Sequence, residues 1–109
     1  MVINCIVTKY KRLRLDPNKQ LIAVQDKNEN VFIKFTFQKV WEFRDNIRCQ
    51  YKYNNGFWNS VSLKNNIVQI PTELFTQHGV IRLYLEEFNE EEQSINKTPK
   101  IIIYINRRN

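Results

Sequence analysis

Apolar side chains at every second position constrain this chain more than any other feature. Val31, Ile33, Phe35 and Phe37 alternate with Phe32, Lys34, Thr36 and Gln38, so only one alternate is apolar. Ile47, Cys49, Tyr51 and Tyr53 alternate with Arg48, Gln50 and Lys52 without a break. Period two is the mark of a strand with one buried face. Asn54, Asn55 and Gly56 then separate this run from a second one, with Phe57, Val61 and Leu63 in phase. Asn and Gly tolerate positive φ, so the two runs read as a hairpin.

The same reading places further strands at 12–15, 20–24, 66–70, 80–86 and 100–106. Asp16 and Pro17 suit the first two positions of a type I turn, which predicts that the flanks of 16–19 pair as a hairpin. Pro71 and Gly79 bracket a segment that reads as one short helical turn. Residues 86–98 are polar and acidic, and read as a loop. Alanine, the best helix former, occurs only at Ala23, which argues against extensive helix. The expected fold is an all-β antiparallel sandwich, Ig-like or jelly-roll-like, of seven or eight strands. With 109 residues and no linker, repeat or low-complexity tract, residues 1–109 read as a single domain.

Catalytic chemistry finds little to work with. The single histidine, His78, has no second histidine to complete a zinc site. Cys5 and Cys49 fall in strand phases among apolar neighbours, where a thiol acts as a small hydrophobe. The acidic run from Glu86 to Glu92 lacks the alternating ligands and internal glycine of a calcium loop, and reads as solvated. The expectation is a protein that is not an enzyme and needs no metal or cofactor.

Residues 1–8 are too short an apolar run for a signal peptide, and lysines follow them. The apolar stretch from Ile101 to Ile105 falls far below membrane-spanning length. These features predict folding in a cytoplasm with both thiols reduced, and no membrane contact.

Association is the better-supported class. The formal net charge is +6, a balance that favours acidic partners. Lys9, Lys11, Arg12 and Arg14 form a basic surface segment interleaved with Tyr10. Such a segment can hold single-stranded nucleic acid, or can discourage aggregation at a sheet edge. Trp41, Phe43, Tyr51, Tyr53, Phe57 and Trp58 form the richest aromatic group. Tyr51 and Tyr53 share the core phase of their strand. Trp58 lies in the opposite phase to Phe57, beside Ser60 and Ser62, so it is a candidate partner anchor together with Trp41 and Phe43.

Three segments carry a family resemblance. Residues 25–30 lead into Val31-Phe32-Ile33-Lys34-Phe35, then Tyr53-Asn54-Asn55-Gly56-Phe57-Trp58 forms a hairpin. Val68-Gln69-Ile70-Pro71 then precedes Gly79-Val80-Ile81-Arg82-Leu83. This order resembles the β-sandwich domains at the N-termini of upper baseplate and tail-tip proteins in phages of Gram-positive bacteria. The resemblance spans residues 20–86, and lacks a glycine those domains often carry between the positions of Gln25 and Asp26. It implies a virion structural or adaptor module that docks onto other virion proteins and self-associates. Such a protein is made in the host cytoplasm and then enters the virion. The alternatives are a small basic domain binding single-stranded nucleic acid, and a carbohydrate-binding module using Trp58 and neighbouring rings.

Overall fold

Each alternating run forms a strand, and the apolar phase of each strand turns toward a shared interior. The computed structural model describes residues 2–16, 21–24, 30–39, 46–71 and 79–107, with the main chain alone described for 21–24 and 106–107. In chain order the strands are β1 (Val2–Val7), β2 (Leu13–Asp16), β3 (Leu21–Val24), β4 (Val31–Phe37) and β5 (Ile47–Tyr53). They continue with β6 (Asn59–Ser62), β7 (Ile67–Ile70), β8 (Gly79–Phe88), β9 (Ser94–Lys97) and β10 (Ile101–Arg107). They build an all-β sandwich of two mostly antiparallel sheets. One has the order β2-β1-β4-β7; the other has the order β3-β10-β8-β5-β6, with β9 also paired to β8.

The inner faces meet in one apolar cluster. Ile3, Cys5, Val7, Val31, Ile33, Phe35, Val68 and Ile70 come from the four-stranded sheet, and Ile47, Cys49, Tyr51, Ile81, Leu83, Leu85, Ile103 and Ile105 from the other. Of the core set expected from strand phase, Phe37, Val61 and Leu63 are only partly buried and pack against the cluster. Phe37 ends β4, Val61 lies on the edge strand β6, and Leu63 follows it.

The described residues hold ten strands, more than the seven or eight expected. The expectation gave no range for β1, although it put Cys5 in a strand phase, and lacked β9. A predicted hairpin between the flanks of 16–19 is corrected. β2 instead pairs antiparallel with β1, Val7 facing Leu13 and Cys5 facing Leu15. β3 lies in the other sheet, parallel to β10. Leu13 and Leu15 are thereby buried beside Cys5 and Val7. The β1–β2 turn carries no Gly, Pro or Asn to announce it. Lys11 takes a positive φ of 60°, and the Thr8 hydroxyl accepts from the Tyr10 and Arg12 amides at 3.3 and 3.2 Å. The helical turn expected between Pro71 and Gly79, the turn residues Pro17 to Lys19 and His78 lie outside the described residues.

Asn-rich turn chemistry shapes two loops, one expected at 54–56 and one at 65–66 where the sequence reading began a strand at Asn66. β5 and β6 form the expected hairpin, with Tyr51 opposite Asn59 and Asn54 at a φ of 50°. Asn65 and Asn66 have φ of 51° and 61°, the left-handed pair of a tight turn. That turn carries the chain from β6 in one sheet to β7 in the other.

At Gly79 the space is already taken. A Cβ there would lie 2.5 Å from the Tyr53 hydroxyl oxygen. Gly79→Ala must displace a ring that packs against the core, and is expected to destabilise by about 1–3 kcal/mol. Phe35→Ala, which opens a cavity at a fully buried ring, is expected to cost about 3–5 kcal/mol. Urea unfolding of both variants checks this, and an unchanged midpoint for either contradicts the packing described.

Candidate functional site: an aromatic and basic sheet face

β8 is the longest strand, and its two phases have opposite duties. Ile81, Leu83 and Leu85 point inward, while Arg82, Tyr84, Glu86 and Phe88 lie half-buried in the opposite phase. On the neighbouring β5 the outer phase is Arg48, Gln50 and Lys52. Register sets Arg48 beside Glu86, Gln50 beside Tyr84 and Lys52 beside Arg82. On the other side of β8, Lys97 stands opposite Glu86. Cross-strand neighbours this close interact directly.

Trp58, in the β5–β6 loop, closes over this face. Its ring meets Tyr84 edge-on, with centroids 5.4 Å apart and planes at 67°. Trp58 keeps 42% of its surface exposed. The lysine ammonium groups sit against these rings. Lys52 and Lys100 lie 5.9 and 5.4 Å from the Trp58 centroid. Lys97 and Lys100 lie 4.9 and 5.9 Å from that of Tyr84. Arg48 lies 4.7 Å over Phe88 at the far end. Each contact adds a modest cation–π attraction, about 0.5–1 kcal/mol where solvent reaches it. Together they hold several positive charges over one aromatic floor. Glu86 is the carboxylate among them, and accepts from the Gln50 amide at 3.4 Å.

Of the partner and basic residues singled out from sequence, Trp58 alone among the described residues lies on this face. Trp41 and Phe43 lie outside the described residues. Phe57, placed in the core phase by sequence, is 92% exposed because β6 begins two residues later at Asn59. Lys9, Lys11, Arg12 and Arg14 are exposed but lie elsewhere, in the β1–β2 turn and on β2, an edge of the four-stranded sheet. The Lys11 ammonium donates to Asn96 Oδ1. Tyr84, Lys52, Lys97 and Lys100 were missed. Tyr84 had a legible signal, an aromatic ring in the polar phase of an alternating strand. Lysines on a polar phase carry no such mark.

The acidic run does not form one loop, contrary to expectation. Glu86 and Glu87 belong to β8, and residues 94–97 form β9. Glu87 falls in the inward phase and is 0% exposed. The Asn96 amide donates to its Oε1 at 2.5 Å, so Lys11, Asn96 and Glu87 form a chain of hydrogen bonds. Burial of a carboxylate is costly unless it is hydrogen-bonded. Glu90, Glu91 and Glu92 alone remain as an exposed acidic turn. Asn89 organises it, its Oδ1 accepting from the Glu91 and Gln93 amides at 3.0 and 2.9 Å.

No protein-family model matches the chain, and no curated protein matches it. Among solved structures, the chain is similar to the N-terminal domain of phage TP901-1 ORF48. The TM-score is 0.47 at 8% sequence identity, over 96% of this chain and 96% of that one.

The two thiols are buried and free. Burial pushes both Cys5 and Cys49 up from 9.0 to about 12, and for Cys49 the neighbouring Cys5 adds to the rise. A thiol that holds its proton this strongly is a poor nucleophile. The folded state keeps these protons while the unfolded chain begins to lose them near pH 9, so the thiols lower stability as pH rises from about 9 to 12. Alkylation at pH 8 is expected to be slow in the native protein and to label both cysteines in denaturant without reductant. Recovery of no free thiol would overturn this.

Proposed function

We propose that this protein is a non-catalytic β-sandwich module of a phage virion, a baseplate, tail or neck component that acts through protein–protein assembly. The observation that carries the assembly reading is the outer face around Trp58 and Tyr84. Half-exposed aromatic residues backed by a rigid sheet are the usual anchors of protein interfaces. Specificity comes from the charges around them. The phage context is supported by the resemblance carried by residues 31–35, 53–58 and 68–83. Synthesis in a host cytoplasm followed by incorporation into the particle belongs to the same proposal.

Single-stranded nucleic acid is the second reading, because rings and cations interleave on this sheet face as they do in strand-binding grooves. Base stacking needs open ring faces, and here lysine ammonium groups lie over both Trp58 and Tyr84. A base would have to displace them, whereas a carboxylate binds them where they stand. Sugar stacking calls for a flat row of rings, and the 67° between Trp58 and Tyr84 does not provide one.

A specific assembly should bury at least about 1,000 Å². Trp58→Ala is expected to weaken it far more than Arg12→Gln and Arg14→Gln together, since a buried aromatic anchor outweighs charges at a rim. Sedimentation of the variants, with oligonucleotide titration across a salt series, tests this. Tight, steeply salt-dependent oligonucleotide binding by a stable monomer would end the assembly reading.

A further inference from the structure

We infer that the exposed turn Glu90-Glu91-Glu92 of one copy docks onto the Lys52, Lys97 and Lys100 face of a second copy, giving a head-to-tail contact. This deepens the assembly reading and rests on it, naming a second copy of the same chain as the partner.

The receiving face argues for an acidic occupant. Its lysine ammonium groups are drawn together over Trp58 and Tyr84, at 4.9–5.9 Å from the ring centroids. Arg82 stands beside Lys52 in the ladder. Rings offer these cations only weak compensation, and Glu86 is one carboxylate beside several cations, so among the described residues carboxylates arriving from outside gain charge-assisted hydrogen bonds with charge to spare. The flanking Trp58 supplies apolar area for the rim of the arriving turn.

The chain itself carries the complementary charge. Three consecutive carboxylates lie exposed at the β8–β9 turn. Glu92 holds a positive φ of 59°, and its amide donates to the Asn89 carbonyl at 3.0 Å. The turn therefore presents its charges in a set shape. It sits apart from the centre of its own receiving face. Tyr84 lies four residues before the strand end at Phe88, about 13 Å along a rigid strand. The turn continues past that end before β9 runs back alongside. Opposite charges at different places on one rigid body satisfy each other between copies, in a ring or an open chain.

Charge reversal tests the contact. One variant carries Glu90→Lys, Glu91→Lys and Glu92→Lys; the other carries Lys52→Glu, Lys97→Glu and Lys100→Glu. Circular dichroism and melting first confirm that each folds; if a triple variant fails, Glu91→Lys and Lys100→Glu replace it. Sedimentation of the wild type should show association that weakens about tenfold or more as salt rises from about 0.02 to about 0.5 M. Each variant alone should be monomeric, and mixing the two should restore association, because one contact then has both charges reversed and the other keeps its native pair.

Variants that associate like the wild type, or a mixture that stays monomeric, overturn the inference. If Trp58→Ala abolishes association while charge reversal does not, the assembly reading stands and this contact falls. A wild type that is monomeric at low salt and binds no oligonucleotide also removes this contact, leaving assembly with a different protein. A monomeric wild type that binds a single-stranded oligonucleotide through Lys52, Lys97 and Lys100 overturns both.

Discussion

The alternation of β8 is the constraint on which the rest of the molecule depends. This strand lies between β10 and β5, and its ladder with β5 runs from Glu87 opposite Ile47 to Ile81 opposite Tyr53. One phase puts Ile81, Leu83 and Leu85 into the core, and the other puts Arg82, Tyr84 and Glu86 on the outer face. A slip of one residue would exchange the two sets. It would bury a guanidinium and a carboxylate while exposing three aliphatic side chains, so core and candidate site hold the same register together.

At the far end of β8 the apolar logic gives way to a polar one. Glu87 continues the inward phase but brings a carboxylate, and β9 is held beside it by hydrogen bonds rather than by an apolar face of its own. Asn96 links Glu87 to Lys11 of the β1–β2 turn. The adjoining Thr98 is buried, its amide donating to the Leu85 carbonyl at 2.9 Å and its hydroxyl accepting from the Leu85 amide at 3.0 Å. Thr98 thus bridges the gap between β9 and β10 along the same edge of β8. Hydrogen bonds are directional, so this seam fixes where the acidic turn emerges.

The outer face owes its character to side chains that contribute little to folding. Trp58 reaches it because the Asn54-Asn55-Gly56 turn brings the chain back over β5, and the Gly56 amide closes that turn on the Tyr53 carbonyl at 2.9 Å. Lys52, Lys97 and Lys100 come from β5, from β9 and from the link to β10. Their stems can lie along apolar surface while the ammonium heads stay near water. Concentrated positive charge over aromatic surface, with an acidic turn displaced along the sheet, makes the molecule electrically uneven.

Much of the fold was legible in local pattern. Period two announced β4, β5 and β8 and their inward residues, because a strand buried on one face must alternate. Asn54-Asn55-Gly56 announced its hairpin, because few residues accept positive φ cheaply. The out-of-phase Trp58 marked a ring that the core does not claim. By itself the sequence determined that most of these segments are strands and which side of β4, β5 and β8 is apolar.

Only the tertiary structure decided which strands are neighbours. Local turn chemistry at Asp16-Pro17 gave no means to see that Leu13 and Leu15 would pair with β1 through a turn lacking Gly, Pro and Asn. Nor could composition separate Glu87, buried and bonded to Asn96, from Glu90, Glu91 and Glu92 in solvent, because that depends on where β9 returns. The gathering of Lys52, Lys97 and Lys100 over Trp58 and Tyr84 has the same origin. The 52–58 hairpin, Tyr84 and the 97–100 segment are far apart in the chain and meet only through β-sheet register, a long-range pairing that no local propensity encodes.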